Sequence, residues 1–167
     1  IDILEEMLAD ILKDKTESTI SPEDLPKTDE MQSILKGLAR LKCFRRNVNN
    51  LLLSSTKEIG FIQFDISKFK IINDLYGEKF GDEILDFINR QLKELCHPEQ
   101  YFINLRSDVF MVVTEYENDG ELLEFIRQID QNINCFKDVK LHITFGVYSV
   151  EEGATEMRQM EDRAAMA

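Results

Sequence analysis

Two aspartates stand where a folded chain could use them for chemistry. Asp65 lies at the end of the apolar run IGFIQFDI, and Asp108 sits between the β-rich runs YFINLR and VFMVVT, which only Ser107 and Asp108 separate. If those two runs form a hairpin beside the first, two carboxylates converge at one sheet edge. Two hard oxygen ligands are the usual protein share of a Mg²⁺ site whose other positions go to water and nucleotide phosphates. Acidic residues at strand ends and turns are commonly just solvated, and on spacing alone that reading is favoured over a metal site. Cys43, Cys96 and Cys135 are too far apart for paired zinc ligands or a disulfide framework, and are expected to be buried free thiols in a reducing compartment. His97 and His142 have no Cys/His cluster around them that would make a metal site.

The elements that must position these residues follow from hydrophobic periodicity. Ile1, Leu4, Leu8 and Ile11 mark a short amphipathic helix over residues 1–14, and the polar, proline-bearing stretch 15–28 reads as a linker. A second helix is expected from about Lys27 to Leu53, with Met31, Ile34, Leu35, Leu38, Leu41, Val48 and Leu52 at helical spacing. IGFIQFDI is too short for a helix and suits a buried strand. A short helix from Lys68 to Leu75 is stopped by Gly77, and Gly81-Asp82 opens a longer one carrying Ile84, Ile88, Leu92 and Leu95. YFINLR and VFMVVT make a tight hairpin. A helix from about Asp119 to Cys135, capped by Asn118 and Asp119, buries Leu122, Ile126, Ile129 and Ile133. VKLHITFGVYSV is the last clear strand, and 154–167 a final helix. Strand, helix, helix, strand, strand, helix, strand, helix is a mixed α/β (α+β) order in which a hairpin sits beside a crossover unit.

Composition narrows the function classes. The 167 residues carry 20 Lys+Arg against 32 Asp+Glu, a formal charge of −12, and 43% hydrophobic residues with eleven Phe supply a real core. So acidic a domain is a poor generic polyanion binder, because nucleic-acid affinity rests on clustered Lys and Arg; no nucleic-acid partner is expected. No run approaches the roughly 20 apolar residues that cross a bilayer, so no membrane contact by this stretch and a cytoplasmic location are expected. Beginning at Ile1, the chain is expected to be a piece of something longer.

The run FDISKFKIINDLYGEKFGDEIL resembles the signature segment of GGDEF domains, the nucleotide-cyclase-like family whose active members condense two GTP into cyclic di-GMP. The matching positions are Asp65, Phe69-Lys70, Asn73-Asp74, Gly77 and Asp82. Gly37-Leu38 with Phe44, the strand ITFGVYS and the ending MEDRAAMA extend the similarity over nearly everything after Ser33. The resemblance implies a palm-like fold, a mainly antiparallel central sheet flanked by helices, over 29–167, preceded by a signalling helix and linker over 1–28. It also implies that Asn73 and Asp82 read guanine, that Lys70 neutralises phosphate, and that Asp65 and Asp108 hold Mg²⁺, needed only with GTP. Without a ligand, Asp82 would be a helix N-cap and Asn73 and Gly77 a helix stop.

Departures from the pattern point away from catalysis. The family's namesake motif is replaced by Arg106-Ser107-Asp108-Val109-Phe110, which keeps only its third and fifth positions. Arg106 and Ser107 put side chains where glycines let phosphates approach the backbone, Val109 removes an acidic side chain, and Ser67 stands where a second Asp is usual. Such losses strip charge stabilisation from a two-metal transition state, so no residue of the motif is expected to be catalytic. The family's inhibitory Arg and Asp fall on His97 and Gln100, so product feedback is not expected. The leading expectation is a degenerate domain regulating cyclic di-GMP signalling, binding GTP, and pairing as a homodimer through its first helix or through an adjoining domain such as an EAL phosphodiesterase. An active diguanylate cyclase and a scaffold that binds no nucleotide are the alternatives.

Overall fold

The computed structural model describes residues 28–150, so the expected helices at 1–14 and 154–167 and the linker lie outside the described residues. Within it the order is α1 (Thr28–Ser54), β1 (Glu58–Ile66), α2 (Phe69–Tyr76), α3 (Glu78–Leu95), β2 (Tyr101–Arg106), β3 (Val109–Tyr116), α4 (Asp119–Ile133), β4 (Cys135–Phe136), β5 (Val139–Lys140) and β6 (Ile143–Val150). A four-stranded sheet, β2-β3-β1-β6, is antiparallel at every pairing. This is the α+β palm-like arrangement expected from the sequence.

The sheet is covered on both faces, which is why β1 and β3 read as nearly unbroken apolar runs rather than alternating ones. Ile62, Phe64, Ile66, Phe110 and Val112 pack with Ile84, Ile88 and Leu92 of α3 and Leu122, Ile129 and Ile133 of α4. Ile59, Phe61, Met111, Val113 and Tyr148 face the other way, onto Phe44, Val48 and Leu51 of α1. Aromatic pairs lock the register. Phe64 sits opposite Phe110 with ring centroids 5.2 Å apart, and Phe61 opposite Tyr148 at 5.4 Å. Each such ring contributes roughly 1.5–3 kcal/mol by burial.

Three expectations need correction. Helical spacing put Leu35 on the buried side of α1, yet it is 57% exposed, and the core is taken by Phe44, Val48 and Leu51. The i, i+4, i+7 set that meets a sheet lies one step round the helix from the richest apolar stripe. VKLHITFGVYSV is not one strand. Val139–Lys140 pairs with Cys135–Phe136 as a separate hairpin, and at Leu141 and His142 the chain crosses to the main sheet, where His142 O accepts from Ser67 N. Lys137 and Asp138 turn that small hairpin with φ of 44° and 64°, the left-handed pair of a type I′ turn made without glycine. Finally, Cys43 and Cys135 are exposed rather than buried. Cys96 is half-buried, and burial pushes its pKa up to about 11.

Candidate functional site

The carboxyl end of β1 is the point where the candidate residues gather, because the chain turns there into α2 while β3 and β6 both begin alongside. Asp65 is the penultimate residue of β1, paired across to Thr144 of β6. One residue on, the Ile66 N–H donates to Asp108 Oδ2 at 3.1 Å. Sequence spacing brought these two aspartates together only if the hairpin lay beside β1, and it does. Burial raises the Asp65 pKa, and repulsion from Asp108 raises it further. Two carboxylates crowding one another without a cation is the electrostatic state that a divalent ion relieves. Among the described residues no three His, Cys, Asp or Glu converge on a metal position.

The tip that carries Asp108 is a two-residue hairpin loop closed by the pair Arg106 and Val109, with a bulge between Asn104 and Arg106. Ser107 takes φ 44°, a left-handed conformation in which a Cβ is strained. The turn thus has a backbone shape suited to glycine, with serine in its place. Asn104 Nδ2 holds it, donating to Ser107 O at 2.9 Å and to Val109 O at 3.4 Å. Nothing in the spacing of the sequence singled out Asn104. Arg106 and Ser107 are exposed, and Val109 is half-buried.

On the other side of the β1 end lies the turn between α2 and α3. Lys68 enters it at φ 58° and the helix lasts two turns before Gly77, whose φ of 91° is a conformation L side chains rarely adopt. The Gly77 N–H donates to Asn73 O at 2.8 Å, so Asn73 and Gly77 are indeed a helix stop. Asp82 is not the N-cap expected of it. The helix α3 starts at Glu78, with Gly77 in the capping place, and Asp82 is an exposed residue of its second turn. Its carboxylate therefore has no capping duty.

Asn73 folds back onto α3. A Cβ built on Gly81 would collide with Asn73 Oδ1 and come within 2.9 Å of its Cγ and 3.2 Å of Phe69 Cζ. Asn73 Oδ1 is itself buried and has no hydrogen-bond partner among the described residues. An unpaired buried acceptor costs about 1–3 kcal/mol. Lys70, on the preceding turn of α2, is exposed. Tyr76, Phe80, Phe136 and Phe87 form a chain of ring contacts at 4.9–5.6 Å that ties the start of α3 to the β4–β5 hairpin.

His97 and Gln100 are brought together, but as structure. Gln100 Oε1 accepts from His97 N at 2.9 Å and its Nε2 donates to the buried Thr114 Oγ1 at 3.0 Å, so both ends of its amide are occupied.

Comparisons with known proteins agree with this geometry. The model of the GGDEF domain, diguanylate cyclase, matches residues 35–167. Diguanylate cyclase VdcA of Vibrio cholerae is 25% identical over 130 residues, covering 77% of this chain and 38% of VdcA. An uncharacterized membrane protein of Staphylococcus aureus strain USA300 is 31% identical over 144 residues, 79% of this chain and 40% of that one. The chain thus spans about two fifths of the length of these relatives. Among solved structures, the active GGEEF domain of a diguanylate cyclase from Vibrio cholerae superposes with a TM-score of 0.61 at 22% identity, covering 75% of this chain and 83% of that one. The GGDEF domain of DgcB from Caulobacter crescentus, solved with c-di-GMP, gives 0.60 at 15%, covering 73% and 75%.

Proposed function

Given that the chain belongs to the GGDEF, diguanylate cyclase, family, we propose that it is a degenerate member: a domain that takes up GTP through its base but does not make cyclic di-GMP, and that serves cyclic di-GMP signalling as a regulatory or dimerising module. The single observation that carries this reading is the contrast at the β1 end. On one side Asn73 and Asp82 stand at the α2–α3 turn, the Asn73 carboxamide seated against Gly81; on the other the hairpin tip bears Arg106, Ser107 and Val109.

In this reading Asn73 and Asp82 hold the guanine edge, the Asn73 amide nitrogen donating to a base acceptor and the Asp82 carboxylate accepting from its N–H donors. Lys70 offers positive charge to phosphate. Asp65 and Asp108 suit a single Mg²⁺, which would neutralise nucleotide phosphates, and they fit it only when phosphate and water complete the shell. Asp108 already accepts from Ile66 N through one oxygen, leaving its other oxygen for the ion. Val109 and Ser67 supply no further carboxylate, so activation of a ribose hydroxyl lacks the charge a second metal would need. Pairing with a second copy or with an EAL phosphodiesterase domain would deliver the regulatory output.

Incubating the domain with GTP and Mg²⁺ tests both halves. Saturable GTP binding without cyclic di-GMP supports the proposal. Product above the no-enzyme control overturns the inactive assignment, and no GTP binding at all favours a scaffold.

A further inference from the structure

Gly81 lies inside α3, not at a turn, and it has no unusual φ. A glycine in a helix interior weakens the helix relative to alanine, so its presence asks for a local cause. The cause is on its surface. The space that a Cβ would fill is held by the Asn73 carboxamide, with Phe69 Cζ at its rim. The colliding atom is the far end of a side chain, so an alanine would displace the carboxamide rather than the backbone of either helix.

We propose that Gly81 is a positioning residue that sets guanine selectivity by seating the Asn73 carboxamide against α3, its oxygen packed into the space that a Cβ would fill. The inference rests on the base-binding role given to Asn73 above. It assigns a separate residue, one that touches no ligand, the task of fixing where that carboxamide points. Burial agrees with it: a carboxamide free to swing would turn its oxygen to water, whereas the Gly81 seat keeps Asn73 Oδ1 buried and leaves the amide nitrogen as the end that meets a base.

The test measures GTP and ATP affinity of wild type, Gly81→Ala, Asn73→Ala and the double variant, with melting curves for each. Gly81→Ala is expected to lower GTP affinity about tenfold, the cost of one hydrogen bond of ordinary strength. Its preference for GTP over ATP should fall by the same factor, which general loosening of the fold would not produce. Melting should hold, since alanine favours the helix. The double variant, in which the collision is gone and folding is not in question, should bind GTP no more weakly than Asn73→Ala alone. GTP selectivity of Gly81→Ala equal to wild type, or a double variant whose losses multiply, overturns the role of Gly81. Failure of wild type to bind GTP overturns the base-binding reading and this inference with it, so the two failures are told apart by the wild-type arm.

Discussion

The α2–α3 turn and the β2–β3 hairpin tip face the same end of β1, and they differ in what they carry. The turn keeps its side chains: Asn73, Gly77 and Asp82 stand at the family spacing, and Gly81 makes room for one of them. At the hairpin tip Ser107 adopts the left-handed φ of 44° that a glycine would take without strain, in a turn closed by Arg106 and Val109. A fold constrains a two-residue turn between paired strands more tightly than it constrains what projects from that turn.

That contrast can be broken at several points. The largest effect should come from the base of the hairpin, where Phe110 is fully buried and stacked on Phe64. Phe110→Ala is expected to cost about 3–5 kcal/mol in chemical denaturation, showing that the altered tip stands on an intact core. Next, Asp82→Ala should reduce GTP affinity by about ten- to a hundredfold, as expected for hydrogen bonds to a charged group, with an unchanged melting temperature because Asp82 is exposed and caps nothing. Calorimetric titration reads this directly; an unchanged affinity would remove Asp82 from the base site. At the tip itself, Ser107→Gly should stabilise the domain by up to about 1 kcal/mol by relieving the positive φ, without creating product in a cyclase assay.

The smallest effect concerns Asp65. Its folded pKa is raised by burial and by Asp108, so the protonated form is the one the fold favours, and stability is lost as pH rises through that raised value. Asp65→Asn, which stays neutral, should melt slightly higher than wild type near neutral pH. The gain should vanish below the ordinary carboxylate range, where both side chains are uncharged. Added Mg²⁺ with GTP should narrow the difference by stabilising ionised Asp65 in wild type alone.

Much of this arrangement was legible in the sequence, for reasons that differ by element. The apolar runs around Phe64, Phe110 and Tyr148 announced the sheet because burial on both faces leaves little polar interruption. Asn118 announced α4, and its side chain does accept from Glu121 N at 2.9 Å. Asp65 and Asp108 were legible as a pair because two strands joined by a two-residue loop leave few places for the second carboxylate. Less was legible where tertiary contact decides. Leu35 fits the helical stripe of α1 but not the surface of the sheet, which Phe44 and Leu51 meet instead. His142 sits at a crossing between two sheets that periodicity cannot reveal. Asp82 looked like a cap because Gly81 precedes it, yet that glycine answers to Asn73 across the turn rather than to a helix start. A glycine inside a strongly amphipathic helix was the one available signal, and its meaning lay in the partner helix.

The most direct measurement compares the affinity of GTP with that of GMP, each with Mg²⁺. If the base is held by Asn73 and Asp82 while the hairpin does not grip the phosphate chain, the two should bind within about tenfold of each other, the margin left for Lys70 and one cation. GTP binding that exceeds GMP by about a thousandfold, some 4 kcal/mol taken from the outer phosphates, would show a working clasp at Arg106 and Ser107 and contradict the account.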